Sequence, residues 1–267
     1  MYQEYWNLTE LPFESVPNPR FFYSSGDHHR ALLQMFYAIN NRMGAAVLTG
    51  DLGCGKTVVS RMLIHELSSD QYEIALINRP SLSPIDFLRD MLGQLGVDIQ
   101  SDARPALQRA LEVQAVKSAN AGKYTVVIVD DADAIEDDNT FEELQSLFNF
   151  QRNGRFFLTL LLIGQAGLKY RVEGIESLAQ QVARQYHLAP FKREETDAYV
   201  QMRLKKAGAD RSLFNEDALD ALYQASNGVP RDINNICDVA LLLGFDAKAK
   251  TVGEEQIEKA VYAVDNL

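Results

Sequence analysis

The sequence is poor in cysteine and lacks an apolar run long enough to cross a membrane. Two cysteines, Cys54 and Cys237, in 267 residues exclude a disulfide-stabilised secreted scaffold and favour a reducing compartment. The most apolar stretch, 156–164, is about half of the ~20 residues that a spanning helix needs. The opening segment MYQEYWNLTELPF mixes acids with aromatics, whereas a signal peptide needs a basic start and an apolar run. We therefore expect a cytoplasmic protein without a membrane span.

Positive charge is also scarce. The chain has 26 Lys and Arg against 37 Asp and Glu, so its formal net charge is −11. An acidic chain does not attract phosphate backbones through its overall field, although a local basic patch would override this. Protein partners are therefore favoured over nucleic acid. The 46% hydrophobic and 24% charged content is ordinary for one large globular domain or two modest ones.

Short apolar runs alternate with helical patterns between residues 30 and 190. The runs are Ala45–Thr49, Tyr72–Ile77, Tyr124–Val129, Phe156–Ile163 and Tyr186–Leu188. Such apolar runs predict strands covered on both faces, which indicates an α/β fold with a parallel sheet between layers of helices. After Pro190 the pattern changes to about four helices and no strand, with Asn215 as a helix N-cap and Pro230 in a first turn.

A Gly-x-x-x-x-Gly-Lys-Thr signature follows the first apolar run and precedes an amphipathic helix. Its glycines let the backbone approach phosphates, and the N–H groups at the helix start point at anionic oxygens. Lys56 would supply charge to the β- and γ-phosphates of ATP, and the Thr57 hydroxyl would ligate Mg²⁺. The alternative is a glycine-rich turn that matches by chance. The predicted ATP-binding residues are Gly50, Asp51, Leu52, Gly53, Cys54, Gly55, Lys56, Thr57 and Val58.

The third apolar run ends in a carboxylate, Asp130, which is the Walker B pattern. Asp130 is predicted to hold Mg²⁺ through its water shell. The next residue, Asp131, occupies the place where many such ATPases have a glutamate that polarises the attacking water. Its carboxylate is one methylene shorter. The alternative is that Asp131, Asp133 and the acids at 136–138 form a solvated acidic loop.

Two further polar residues follow these motifs. Gln165 comes just after the fourth apolar run, where a side chain can contact the γ-phosphate or the lytic water; alternatively, it is an ordinary turn residue. Arg231 opens a helix of the C-terminal region. It could report the γ-phosphate to that region, and the alternative is a surface arginine.

With these residues in place, the chain resembles the AAA+ ATPases of the ExeA/GspA type of the general secretion pathway, including their shorter MSHA-pilus relatives. The matching blocks, in order, are Tyr5-Trp6-x-Leu8-x-x-x-Pro12-Phe13, Pro19-x-Phe21-x-Tyr23-x-Ser25-x-x-His28, Gly164-Gln165, Tyr186-His187-Leu188 and Gly228-x-Pro230-Arg231-x-Ile233-Asn234. The resemblance covers residues from about 5 to about 262. It implies an ATP-driven, ring-forming assembly factor, with sensor 1 at Gln165 and sensor 2 at Arg231.

The chain departs from that family at two places. The family usually reads Asp-Glu at 130–131, where this chain has two aspartates, and Gln-Arg at 180–181, where it has two glutamines. The usual arginine-finger position is thus Gln181, and Arg184 or Arg171 would have to substitute. Both departures imply slow hydrolysis and leave nucleotide binding untouched. The membrane span and peptidoglycan-binding domain of longer members are not expected here.

The predicted fold is a P-loop NTPase three-layer core with a parallel sheet, followed by a small all-α lid domain. We expect an N-terminal arm over residues 1–29 that packs on the core, the AAA+ core over 30–191, and the lid over 192–267. The predicted function is an ATPase, with ATP and Mg²⁺ as cofactors, which forms a homo-oligomeric ring. It would organise proteins of a secretion or pilus machine and would associate peripherally with the inner membrane. The alternatives are a DNA-associated AAA+ regulator of the transposition type and a nucleotide-gated scaffold with little turnover.

Overall fold

The computed structural model describes residues 2–14, 18–78, 82–152 and 154–266. The chain divides into two compact units. The helical unit comprises Met1–Gly26, Leu52–Val58 and Ala189–Leu267. The α/β unit comprises Asp27–Asp51 and Val59–Leu188.

Seven strands occur in the described residues, and five of them form one parallel sheet. The strands are β1 (Ala45–Gly50), β2 (Tyr72–Ile77), β3 (Tyr124–Val129), β4 (Gln151–Arg152), β5 (Arg155–Phe156), β6 (Leu158–Gly164) and β7 (Val182–Leu188). The sheet order is β2-β3-β6-β1-β7, and each neighbouring pair is parallel. The short strands β4 and β5 pair with each other in an antiparallel hairpin. In the central strands β1, β3 and β6 every residue is buried, which explains their continuous apolar runs.

Helices follow the strands of the α/β unit and make up most of the helical unit. They are α1 (Tyr2–Tyr5), α2 (Gly26–Asn40), α3 (Lys56–Glu66), α4 (Pro84–Gln94), α5 (Arg104–Asn120), α6 (Asp138–Ser146), α7 (Gly167–Glu173), α8 (Glu176–Ala179), α9 (Arg193–Lys206), α10 (Glu216–Ser226), α11 (Pro230–Asp246) and α12 (Glu254–Asp265). α4 packs against β2, and α5 packs against β3. Across the described ranges, no helix combines the length and the apolar character that crossing a membrane requires.

The predicted fold class is confirmed. β1 and β6 each end one residue later than predicted, and the larger differences are at the starts of β6 and β7. The bounds of β2 and β3 are as predicted. The predicted strand 156–163 is wrong at its start, because Phe156 belongs to the hairpin and β6 begins at Leu158. β7 begins four residues before the predicted Tyr186. It is the edge strand, and its partly exposed alternating pattern hides it from a search for apolar runs.

The core of the α/β unit is mostly aliphatic. Val47, Val127 and Leu160 come from the three central strands, and each is at most 1% exposed. Phe87 and Met91 of α4 are fully buried in the same cluster. Burying each such side chain contributes about 1.5–3 kcal/mol to folding relative to leaving it in water. The sheet is therefore a rigid base for the loops at its carboxyl-terminal edge.

The helical unit draws its core from both ends of the chain. Trp6 is 2% exposed, and its indole N–H donates to the carbonyl of Leu241 at 3.0 Å. Gly244 of α11 leaves room for the indole, because a Cβ there would lie 2.9 Å from the Trp6 ring. Phe13 and Phe21 are buried in the same cluster. The N-terminal arm is thus an integral part of the helical core.

The predicted division into an arm over 1–29, a core over 30–191 and a lid over 192–267 stays a prediction. Within the helical unit, the aromatic side chains of the arm lie among α9, α11 and the segments between them. After the last strand, this unit resumes at Ala189. The sequence pattern identified the aromatic arm as ordered but carried no information about which helices would cover it.

Arg203 of α9 is a buried cation inside the helical unit. Its guanidinium donates to the Tyr199 hydroxyl at 2.7 Å, to Asn234 Oδ1 at 3.3 Å and to the Glu14 carbonyl at 3.1 Å. It also lies over the Phe21 ring, 4.8 Å from the centroid. Buried charges require such hydrogen bonds and ring contacts to replace water. Arg203 therefore joins the N-terminal arm to α9 and α11.

Candidate nucleotide-binding site

The predicted phosphate loop connects β1 to α3. Gly53 and Gly55 have φ values of 85° and 96°, a left-handed conformation that residues other than glycine rarely adopt. At Gly50, where β1 ends, a Cβ would lie 2.7 Å from the carbonyl of Leu188, so a side chain has no space there. The backbone of this loop is therefore free of side chains at the positions where it must bend around a ligand.

Helix α3 begins at Lys56 and Thr57, directly after the loop. The first four N–H groups of a helix have no partner within it, and they favour an anion. Lys56 is only 7% exposed and Cys54 is fully buried, while Leu52 is 63% exposed. Glycines that give backbone access, a helix start and a nearly buried cation together fit a bound phosphate chain.

Within the helical unit, the first turn of α11 contacts this loop. The main-chain N–H of Arg231 donates to the Gly53 carbonyl at 3.3 Å. A Cβ on Gly53 would lie 2.9 Å from both Arg231 Cβ and Val229 Cγ1. The predicted sensor residue Arg231 is thus adjacent to the phosphate loop, through its backbone and the base of its side chain.

The turn that precedes α11 is fixed by its own close contact. The Phe191 N–H donates to the Gly228 carbonyl at 2.9 Å, and a Cβ on Gly228 would lie 1.9 Å from the Phe191 carbonyl oxygen. Gly228 has a φ of 74°, and Asn227 before it is also left-handed. The position of Val229 and Arg231 against Gly53 therefore depends on a turn that only glycine can make.

In the α/β unit, Asp130 follows β3 and is 4% exposed. Its Oδ2 accepts from the Ser60 hydroxyl of α3 at 3.4 Å, and its Oδ1 accepts from the Asp131 N–H at 3.2 Å. Both carboxylate oxygens are thereby oriented. Sequence reasoning missed Ser60; its position one helical turn after Thr57 was the available signal.

The donor chemistry suits magnesium held together with phosphates. In the ranges that the structure describes, no three His, Cys, Asp or Glu side chains are grouped so as to hold a metal ion by themselves. Mg²⁺ in nucleotide sites takes one or two protein oxygens and completes its shell with phosphates and water. The Thr57 hydroxyl and the Asp130 carboxylate are ligands of that kind.

Asp131 is exposed and adopts a left-handed conformation, with φ 52° and ψ 39°. Aspartate is one of the few side chains that tolerate this region. The Asp131 carbonyl accepts from the Ala134 N–H at 2.8 Å, which closes a 3₁₀ turn over Ala132–Ala134. The carboxylate therefore projects from a defined turn, and its part in turning over ATP stays a prediction.

Gln165 follows β6, the sheet neighbour of β3, so Gln165 and Asp130 lie at the same edge of the sheet. The Gln165 side chain is exposed, and its main-chain N–H donates to Asp133 Oδ1 at 2.9 Å. Asp133 was considered from the sequence only as part of a solvated acidic loop. That interpretation is wrong for Asp133, because its carboxylate is hydrogen-bonded to the end of the neighbouring strand.

The two finger candidates are both engaged within the α/β unit. Arg184 pairs with Ala46 in the sheet, four residues before β7 ends, and its guanidinium lies 4.5 Å from the Tyr37 ring centroid. At about 3.3 Å per residue, this places it about 13 Å from the carboxyl-terminal edge. Arg171 of α7 donates to the Ile135 carbonyl and to Asp138. The structure thus brings Asp130, Asp131 and Gln165 to one edge and leaves Arg184 away from it.

Comparisons with known proteins agree with this architecture. The AAA domain family matches residues 39–172, which is half of the chain. The chain belongs to the AAA domain family. It is 34% identical over 270 residues to General secretion pathway protein A of Aeromonas hydrophila, covering 100% of this chain and 49% of that protein. The predicted resemblance to that type of AAA+ ATPase is therefore confirmed, and the chain spans about half the length of this relative.

Solved structures of other AAA+ proteins share the fold. The ORC2 protein of Aeropyrum pernix, solved as ADPNP–ADP complexes, has a TM-score of 0.67 at 18% identity, covering 95% of this chain and 70% of that one. The RuvB Holliday junction branch migration motor of Thermotoga maritima has a TM-score of 0.61 at 14% identity, covering 91% and 73%. Identities this low show a common fold alone. Together with the family match, they assign this chain an AAA+ fold.

Proposed function

We propose that this AAA+ ATPase binds ATP with Mg²⁺, hydrolyses it slowly, and uses nucleotide binding to drive its own oligomerisation and the assembly of a secretion or pilus machine. The observation that carries the proposal is the phosphate loop, with Gly53 and Gly55 in left-handed conformations and a nearly buried Lys56 at the start of α3. The 34% identity to a general secretion pathway protein supports the assembly role. In that role the chain would be cytoplasmic and associate peripherally with the inner membrane.

Residues of the phosphate loop and Asp130 after β3 would bind different parts of the Mg²⁺–ATP complex. Lys56 would neutralise charge on the β- and γ-phosphates, and main-chain N–H groups of residues 50–58 would cradle them. Thr57 and Asp130 would hold Mg²⁺, with Asp130 oriented by the Ser60 hydroxyl. When bound, the metal ion supplies charge neutralisation at the phosphoryl oxygens.

Asp131 and Gln165 would handle the attacking water and the γ-phosphate. Asp131 would orient the water and accept its proton, and the exposed Gln165 amide would contact the γ-phosphate or the water. Arg231 would report the same phosphate to the helical unit. The contact between its backbone and Gly53 supports this role, because a change in the loop acts directly on the first turn of α11.

The binding step is tested with Lys56→Ala. We expect this variant to lose tight ATP binding in calorimetry, because the nearly buried cation of the loop is gone, while its thermal unfolding stays near that of the wild type. Lys169→Ala, which removes a half-exposed lysine of α7, is the matched control. Unchanged ATP affinity in Lys56→Ala would contradict the proposal at its base.

A homo-oligomeric ring with a site completed by its neighbour is the proposed assembly, and Arg184 is the proposed finger. Arg171 is hydrogen-bonded to Ile135 and Asp138, whereas Arg184 donates to the carbonyl of the adjacent Ala183 at 2.9 Å. Moving Arg184 away from the Tyr37 ring thus breaks fewer hydrogen bonds to distant residues than moving Arg171 away from Ile135 and Asp138. A finger acts on the site of the adjoining subunit.

Mixing two defective variants tests the ring and the finger together. Lys56→Ala keeps the finger and loses the site, and Arg184→Ala keeps the site and loses the finger. Each variant alone should release little phosphate, and an equimolar mixture should recover activity. Light scattering should show particles larger than the 30.0 kDa chain with ATP–Mg²⁺ and smaller ones without nucleotide. Monomers under both conditions at micromolar protein would argue against the ring.

A nucleotide-gated scaffold with little turnover is the second candidate, favoured by the exposed, shorter carboxylate of Asp131. If Asp131 handles water, Asp131→Asn should lower phosphate release and Asp131→Glu should preserve or raise it. A positioned base contributes about 10²–10⁴-fold, so the difference is measurable. Rates for all three proteins equal to that of Lys56→Ala would instead favour the scaffold.

A further inference from the structure

We propose that Asp133 is a positioning residue that fixes Gln165 relative to the turn after β3. The inference rests on the proposed sensor function of Gln165. Asp133 Oδ1 accepts a hydrogen bond from the Gln165 main-chain N–H at 2.9 Å. A carboxylate acceptor strengthens such a bond relative to a neutral one. Asp133 acts on the backbone of Gln165 and leaves its exposed amide side chain available for a ligand.

Gly164, the residue before Gln165, leaves the space that this contact needs. A Cβ on Gly164 would lie 2.4 Å from Asp133 Oδ1, 2.9 Å from Leu168 Cδ2 and 3.1 Å from the Asp133 nitrogen. The carboxylate thus occupies the volume that a side chain at the end of β6 would fill. Gly164 has no positive φ that would call for glycine. Its lack of a side chain is explained by the space that Asp133 takes.

The turn that carries Asp133 is itself well defined. It begins at the left-handed Asp131, is closed by the hydrogen bond from the Ala134 N–H, and continues with the Ile135 N–H donating to the Ala132 carbonyl at 3.3 Å. Asp133 lies two residues after Asp131 within this single turn. Movement of one carboxylate relative to the other is therefore restricted by the backbone between them.

A second contact holds the far end of the same turn. The Arg171 guanidinium donates to the Ile135 carbonyl, and its cation lies 4.4 Å from the Phe141 ring centroid. Arg171 belongs to α7, which begins right after Gln165, and the Leu168 N–H donates to the Gln165 carbonyl at 3.0 Å. The segment after β6 thus contacts the turn after β3 at its middle, Asp133, and at its end, Ile135.

It follows that Asp131 and Gln165, from two different strands, are held in a common frame through Asp133. Catalytic groups lose about 10²-fold in rate when they move by about 1 Å. Asp133→Ala should therefore lower kcat about 10- to 100-fold, while the KM for ATP changes less than about threefold because the phosphate loop is intact. Asp133→Asn keeps an oxygen acceptor for the Gln165 N–H and should retain most of the activity. Glu136→Ala, which removes an exposed acid from the same segment, is the control and should match the wild type.

Two measurements decide whether Asp133 acts through Gln165. In a Gln165→Ala background, adding Asp133→Ala should lower kcat no further. Hydrogen exchange of the Gln165 main-chain N–H, followed by NMR, should accelerate at least tenfold in Asp133→Ala and stay near the wild-type rate in Asp133→Asn. The exchange measurement needs no turnover, so it tests the contact even in a protein that does not hydrolyse ATP. If the wild type hydrolyses no more ATP than Lys56→Ala, that result contradicts the proposed hydrolysis and leaves the contact to be tested by exchange. Unchanged amide exchange in Asp133→Ala, or a further loss of kcat in the double variant, would overturn the inference.

Discussion

The two units of this protein are built in opposite ways. The α/β unit takes its core from short contiguous runs, and Val126 to Val129 of β3 are each fully buried. The helical unit assembles its core from segments at the two ends of the chain, so that Trp6 lies against Leu241 and Gly244. The comparison shows that a buried parallel sheet can be predicted from the local pattern of apolar residues. An aromatic core that is completed by a segment distant in sequence cannot.

The units also differ in what they do with buried polar groups. In the helical unit, Arg203 links the arm to two helices through Tyr199, Asn234 and Glu14. In the α/β unit, the side-chain hydrogen bonds of Ser60 and Asp133 lie at the sheet edge and orient the proposed catalytic groups. In these examples, polar contacts join distant segments in the helical unit and orient proposed site residues in the α/β unit.

Truncating the arm residue Trp6 is expected to have the largest effect. Trp6→Ala should lower the free energy of unfolding by about 3–5 kcal/mol, as for other large buried aromatics. Phe87→Ala in the α/β unit is the reference, because Phe87 is fully buried in a core that the sequence pattern predicts. Urea unfolding followed by far-UV circular dichroism measures both. A loss below 1 kcal/mol for Trp6→Ala would mean that the arm is only a peripheral attachment.

Stability at high pH offers a second comparison between the two units. Burial raises the pKa of Tyr124 to about 12, while the side chain would ionise near 10 in the unfolded chain. The folded state then holds the proton more tightly, so the contribution of Tyr124 to the free energy of unfolding is constant below pH 10 and falls as pH rises from 10 to 12. Two pKa units correspond to a loss of up to about 3 kcal/mol.

The measurement is the free energy of unfolding at pH 9 and at pH 11.5 for the wild type and Tyr124→Phe. The variant should lose less stability between the two values. Burial also raises the pKa of Tyr199 in the helical unit, so Tyr199→Phe shows how much of the alkaline loss comes from that residue. An identical loss in Tyr124→Phe and the wild type would contradict the assignment to Tyr124.

Helix caps should give the smallest and most similar effects in the two units. Asn215 caps α10 by accepting from the Ala218 N–H at 2.9 Å, and Ser83 caps α4 by accepting from the Asp86 N–H at 3.2 Å. Asn215→Ala and Ser83→Ala should each destabilise by about 1 kcal/mol. Asn215→Asp keeps an acceptor and serves as the control. Losses well above 2 kcal/mol in one unit would mean that its helix termini carry tertiary contacts beyond the cap.

Much of the fold followed from the sequence where one local rule sufficed. The bounds of β2 and β3, the cap at Asn215 and the helix start at Pro230 all match the structure. The motifs also placed Asp130 and Gln165 just after two predicted strands, although the sheet order that makes these strands neighbours was not predicted. These inferences needed only periodicity, capping chemistry and strand direction.

What escaped prediction depends on contacts between segments far apart in the chain. The spacing of motifs gave no sign that Arg231 would bond the Gly53 backbone, or that Asp133 would fill the space above Gly164. β7 was found only at its end, since an edge strand does not need a continuous apolar run. Pairings of this kind are settled by packing in three dimensions, which a single sequence does not encode locally.

The hydrogen bond between Trp6 and Leu241 also bears on the order of folding during synthesis. The two residues are 235 positions apart. A ribosome that adds about 5–20 residues per second needs about 12–47 s to make the second after the first. By then all five strands of the sheet have been synthesised, while the aromatic arm still lacks its partners. The apolar side chains of the arm thus stay without these native contacts until most of the chain has been made.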